Sequence, residues 1–143
     1  MTRYAAGFLA LVTATAALAH GSVTGVVRER MDGMVDQGRA LKVLTLEAAK
    51  PLPDPDVFWA AAGQIAQHSG QTLLDRFPDG SLQPGSEALP LIWQDWEQFK
   101  TLAFALEANA LALATASPEK AAALVQEATQ TCNACHDRFR LKK

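Results

Sequence analysis

The sequence is short of the residues that fill β-sheets. Tyrosine occurs once, phenylalanine six times, and aromatic residues make up only 7% of the chain. Alanine, leucine and the long helix-forming side chains dominate instead, which predicts an all-α fold. Positive charge is not in excess either. The formal net charge is −2, so the electrostatic footprint of a nucleic-acid-binding protein is lacking. There are only two cysteines, which excludes a disulfide framework of several bridges. No internal repeat appears, and no low-complexity tract beyond alanine-rich helix. At 143 residues, of which 49% are hydrophobic, the chain has material for one domain around one core.

Residues 1–19 read as a cleavable signal peptide. Arg3 gives a positive start, Phe8 to Val12 an apolar stretch, and Ala17-Leu18-Ala19 a small-x-small cleavage site. Thr13 and Thr15 interrupt the apolar part, which is short for a membrane anchor. Cleavage leaves a mature domain of residues 20–143 starting at His20. Loss of the leader, which holds Arg3 and no acidic residue, takes the net charge from −2 to −3. The mature chain has no uncharged apolar run long enough to cross a bilayer, so the sequence predicts a soluble protein of the periplasm without stable membrane insertion.

Proline and capping residues divide the mature chain into four helices. Val23 to Ala49 holds no proline and spaces Val27, Met31, Met34, Gly38 and Leu41 by fours and threes, as one buried helical face would. Pro51 and Pro53 end it. Asp54 is an N-cap before Pro55, and Phe58, Ala62, Ile65 and Ala66 form the inner face of a second helix that should stop near Asp75. Arg76 to Leu89 is dense in turn formers and reads as an ordered loop. A third helix runs from about Pro90 to Ala114 with Ile92, Trp96, Phe99, Ala103 and Leu106 inward. Ser117 and Pro118 start a fourth, which continues to Phe139 or Arg140, with the Ser117 side chain expected to satisfy free amides. Four such helices on short links predict an antiparallel up-down-up-down bundle.

The sharpest signal is Cys132-Asn133-Ala134-Cys135-His136, a C-x-x-C-H that reads as c-type haem attachment. Cysteines three apart share one side of a helix, so both sulfurs can add to the two vinyl groups on one porphyrin edge. His136 can then turn its imidazole under the iron. A thioredoxin-like pair would sit in a βαβ setting, and a zinc site would need two more ligands where only His20 and His68 remain. The haem needs an exported address, because the attachment machinery works there. No methionine follows the motif, so a thioether for the other face of the iron must come from upstream. Only Met31 and Met34 are available in the mature chain, both on the first helix. His68, between Gln67 and Ser69, reads as a solvated surface residue. His20 would become a free N-terminus able to chelate copper, though nothing else supports a copper site. Trp93 and Trp96 share a face and should pack between helices or over a porphyrin edge. Gly38 weakens its helix by about 1 kcal/mol relative to alanine, which suggests close approach by the haem or a neighbouring helix.

These features resemble the class II c-type cytochromes, the cytochrome c′ family, over essentially the whole mature chain. The resemblance rests on Arg28-Glu29-Arg30-Met31-Asp32-Gly33-Met34, Phe77-Pro78, Ile92-Trp93, and Cys132 to His136 followed by Phe139-Arg140, in that order. It implies a four-helix bundle enclosing one covalent haem c, with His136 proximal and Met34 the sixth ligand as in low-spin members. It also implies Arg30 near the haem propionates, Arg140 near the proximal histidine, and a homodimer through the first two helices. Met/His ligation raises the reduction potential and closes the iron to substrates. The expected function is therefore a one-electron carrier between periplasmic or membrane redox proteins, and not an enzyme. The alternative is a five-coordinate cytochrome c′ that binds nitric oxide or carbon monoxide.

Overall fold

The computed structural model describes residues 23–142. The signal peptide expected at 1–19 and His20 lie outside them. The helices are α1 (Gly25–Ala48), α2 (Pro55–Gln67), α3 (Gly70–Leu74), α4 (Leu91–Gln94), α5 (Trp96–Leu113) and α6 (Pro118–Phe139). The four long ones form an antiparallel bundle in which α1 packs on α2, α2 on α5, α5 on α6, and α6 back on α1. The only strand-like feature among the described residues is a bridge between Ala88 and Arg140. No described helix is long and apolar enough to cross a membrane.

Local chemistry accounts for most boundaries. Asp54 caps α2 as expected, its Oδ1 accepting from the amides of Asp56 (3.0 Å) and Val57 (3.4 Å), with Pro55 in the first turn. Ser117 differs from expectation. Its side chain makes no cap hydrogen bond to an amide, and its carbonyl instead accepts from Lys120 and Ala121. The hydroxyl is spent on Glu119, whose carboxyl is thereby held below its usual range.

Two helices end or break where hydrophobic periodicity alone would continue them. The second was expected to reach Asp75, yet α2 stops at Gln67 and α3 begins at Gly70. Ser69 turns its hydroxyl back onto the Ile65 carbonyl (2.6 Å), and Gly70 takes φ +54°, a conformation that favours glycine. A side chain at Gly70 would also collide with the Glu107 carboxylate of α5. The third helix is divided at Asp95 (φ −126°, ψ 50°), whose carboxylate receives the Arg138 guanidinium of α6. Breaking the helix there frees the side chain to tie α4 and α5 to the end of the last helix.

The interior has two parts. One joins Ala40 and Leu44 of α1 to Phe58, Ala62 and Ile65 of α2, Leu106, Ala110 and Leu113 of α5, and Val125 and Ala128 of α6. The other gathers Leu73, Leu74, Phe77, Ile92, Phe99, Ala103 and Phe139, with the Phe99 ring 4.7 Å from Phe77 and 5.4 Å from Phe139. The buried face of α1 is Val27, Arg30, Gly33, Gln37, Ala40, Leu44 and Glu47. Only Val27 of the expected stripe belongs to it. The helix has two inward faces: one packs on neighbouring helices, and the stripe of Met31, Met34, Gly38 and Leu41 looks into a cleft.

Candidate functional site

Cys132, Cys135 and His136 occupy the last two turns of α6, spaced so that all three lie along one side. Cys132 packs against the first core and Cys135 against the second, and the two sulfurs are not bonded to each other. Beside them lies a cavity of about 500 Å³, bounded by α1, Phe77, Ile92, Phe99 and the segment 85–88. A second of about 200 Å³ reaches Cys132 and Leu41. Met34, Gly38, Cys135 and His136 line both. The first has the size of a small-molecule or cofactor pocket.

The site's electrostatics suit metal ligation by His136 and disfavour thiolate chemistry. Burial pushes the His136 imidazole below its ordinary range, helped by Arg140 and opposed by Asp137 and Glu87. The ring is therefore neutral near pH 7 and has a lone pair to give. Burial and the neighbouring Cys132 push the Cys135 thiol up to about 11, and burial raises Cys132 as well. A redox C-x-x-C needs the opposite, a depressed thiol. Among the described residues no cluster of three His, Cys, Asp or Glu could hold a metal by itself.

The remaining sequence candidates fall into three groups. Met34 is half-buried in the cleft while Met31, one turn away, sits at its lip with 36% exposure. Arg30 is 3% exposed and lines the first cavity, its guanidinium 4.3 Å above the Phe77 ring and its Nη2 donating to the Ser81 carbonyl (2.8 Å). Burial lowers its pKa, and its Nε and Nη1 have no partner. Arg140 also lines that cavity, where its Nε donates to Glu87 (2.6 Å) and its backbone amide to the His136 carbonyl (3.1 Å).

Other expectations are corrected or narrowed. His68 is not a solvated residue: its side chain is 17% exposed, with Nδ1 3.0 Å from Arg76 Nη1 and Nε2 3.8 Å from Asp36. The absent side chain of Gly33 makes room for this group, and His68 lines neither cavity. Gly38 meets no neighbouring helix, because a Cβ there would find nothing within 4 Å. It opens on the cavity. Trp93 donates from Nε1 to the Phe77 carbonyl (3.0 Å) and Trp96 packs 5.5 Å from Phe99, so both serve packing.

Sequence reasoning missed the segment 86–89, which zips onto the end of α6. Leu89 N donates to the Phe139 carbonyl (2.9 Å), Leu141 N to the Glu87 carbonyl (2.8 Å), and Glu87 pairs with Arg140. Nothing in its composition distinguishes it from an ordinary loop.

A haem fits this arrangement. The cleft is largely apolar, carries a neutral imidazole, a thioether and two thiols, is unobstructed at Gly38, and has a buried cation with idle donors at its wall, as an anionic porphyrin substituent requires. Comparison with known proteins agrees. The family model described as Cytochrome C' matches residues 25–140. Cytochrome c-556 of Agrobacterium tumefaciens (strain II Chrys) is 34% identical over 120 residues, covering 80% of this chain and 97% of the relative. The cytochrome c′ structure from Rhodopseudomonas palustris superposes with a TM-score of 0.72 at 29% identity, covering 85% of this chain and 99% of that one. The structural model of oxidised R. palustris cytochrome c556 gives 0.69 at 26% identity, with 82% and 97% covered. The chain belongs to the cytochrome c′ family and binds one covalently attached haem c with its iron.

Proposed function

We propose that the protein is a low-spin electron carrier of the periplasm, a single mature domain (20–143) whose haem is attached through Cys132 and Cys135, with His136 and Met34 as the protein ligands of the iron. The observation that carries this reading is that Met34 of α1 and His136 of α6 line the same two cavities. The haem supplies a ferric/ferrous couple. His136 gives a neutral nitrogen, and Met34 a soft thioether that favours the reduced state. Phe77, Ile92, Phe99 and Phe139 keep water from the pocket, which lowers the reorganisation that each change of charge demands. Arg30 and Arg140 supply positive charge at the cavity wall. Were His136 and Met34 both to hold the iron, no position would be left for a substrate, and on that ground we assign a carrier and no enzymatic reaction.

The same reading takes soluble or membrane-bound redox proteins as partners and a homodimer through α1 and α2, whose outer faces expose Leu46, Val57 and Trp59. The test is potentiometry with intact mass. A mature chain heavier by one haem, titrating as a single one-electron wave, is expected. A chain lacking haem, or a wave that is not one-electron, would contradict the proposal.

A further inference from the structure

The segment that crosses the end of α6 is tied to it by main chain on both sides of Glu87. Leu141 N donates to the Glu87 carbonyl (2.8 Å), Leu89 N to the Phe139 carbonyl (2.9 Å), and Ala88 bridges to Arg140. Ser86 tightens this strap by accepting from the Ala88 amide (3.3 Å). The register set by these bonds brings the Glu87 side chain onto Arg140. Glu87 Oε2 accepts from Arg140 Nε (2.6 Å) and lies 2.5 Å from Nη2. The two side chains are 28% and 48% exposed, and an ion pair that open to water adds little to stability. Its position matters more.

Glu87, Arg140 and His136 line the same cavity. Beyond burial, three charges bear on the His136 imidazole: Arg140 makes it less basic, while Asp137 and Glu87 act the other way. Asp137 is 73% exposed and has Lys142 at 3.5 Å, so solvent and a neighbouring cation screen it. Arg138, the other cation of the last turn, is engaged by Asp95. The cation and anion nearest the pocket are therefore Arg140 and Glu87, and they offset each other. Removing either would leave its partner facing a largely apolar cavity, where a charge acts with weaker screening.

We propose that Glu87 is a positioning residue for electron transfer: held by the strap, it pins the Arg140 guanidinium, offsets its charge beside His136, and so sets the potential at which the haem accepts an electron. This rests on the haem reading above. Loss of one electron to a redox partner adds one positive charge at the iron. Arg140 without Glu87 opposes that gain and favours the ferrous state, whereas Glu87 without Arg140 favours the ferric state.

The test uses the purified haem protein as wild type, Glu87→Gln, Arg140→Gln and the double variant, followed by intact mass, urea midpoint, and midpoint potential at low and high salt. Glu87→Gln is expected to raise the potential and Arg140→Gln to lower it. The double variant should return close to wild type, and both single shifts should shrink in high salt. A pair that only fastens the strap would lower the urea midpoint in both single variants without opposed shifts in potential. Shifts in the same direction, or none, would overturn the inference. If Glu87→Gln loads poorly, Arg140→Gln alone must still lower the potential, and an unchanged or raised value overturns the inference equally. A wild type without haem mass would instead sink the underlying haem reading.

Discussion

Gly33 and Gly38 stand five residues apart on α1 and meet opposite surroundings. A side chain at Gly33 would run into the Arg76 guanidinium, which is held by His68 Nδ1, whereas Gly38 opens on the cavity. Gly33→Ala is therefore expected to forfeit the gain of about 1 kcal/mol that alanine's helix propensity would otherwise bring, leaving the urea midpoint no higher than wild type; a clearly raised midpoint would show that the contact contributes nothing. Gly38→Leu should fold but carry less haem, read as the ratio of Soret to protein absorbance. An unchanged ratio would mean that this wall does not face the cofactor. Sequence alone marked Gly38, because a glycine on an apolar helical stripe is costly. It passed over Gly33, and it misread His68, because both depend on how the break after α2 folds against α1. Residues such as Ser81 and Glu87 were illegible for the same reason: their partners are far along the chain, and no local pattern encodes the approach.

Among the elements, the link between α1 and α2 shows how much a few local contacts decide. Glu47 is buried at the end of α1, pairs with Lys50 and accepts from the Asp54 amide (3.1 Å). The Lys50 hydrogen bond, then the Asp54 amide, hold its carboxyl below the ordinary 4.5. The folded state thus binds this proton more weakly than the unfolded state. The stabilisation is complete above about pH 4.5 and is lost as pH falls through the lowered folded value. Between pH 6 and pH 4 the wild-type urea midpoint should fall further than that of Glu47→Gln. Parallel curves would show that the contact contributes nothing. Both helix starts were legible from local sequence, Asp54-Pro55 through a side-chain cap and a first-turn proline, and Ser117-Pro118 through the proline although the Ser117 side chain does not cap. The breaks at Ser69-Gly70 and Asp95 were not, since each is stabilised by a group from another helix: Gln37 of α1 donates to the His68 carbonyl and the Ser69 hydroxyl, and Arg138 of α6 to Asp95.

At the scale of the whole molecule, the stripe of Met31, Met34, Gly38 and Leu41, expected as one buried face that would meet the haem, lines the cleft. Apolar periodicity reports that a face avoids water, and a haem pocket satisfies it as well as a neighbouring helix does. The bundle and the C-x-x-C-H site were legible because one follows from helical periodicity and the other from fixed spacing. The outer faces of α1 and α2 carry a prediction of their own. Light scattering should give twice the chain mass, and Trp59→Lys, changing a side chain 46% exposed, should shift it toward the monomer. A monomeric wild type would remove the dimer from the account. The most direct test of the central claim is the optical spectrum of the haem protein with and without carbon monoxide, for wild type and Met34→Leu. Sharp low-spin reduced bands, a sulfur-to-iron band when oxidised, and carbon monoxide binding only after Met34 is replaced are expected. Broad high-spin bands and ready carbon monoxide binding by the wild type would contradict it.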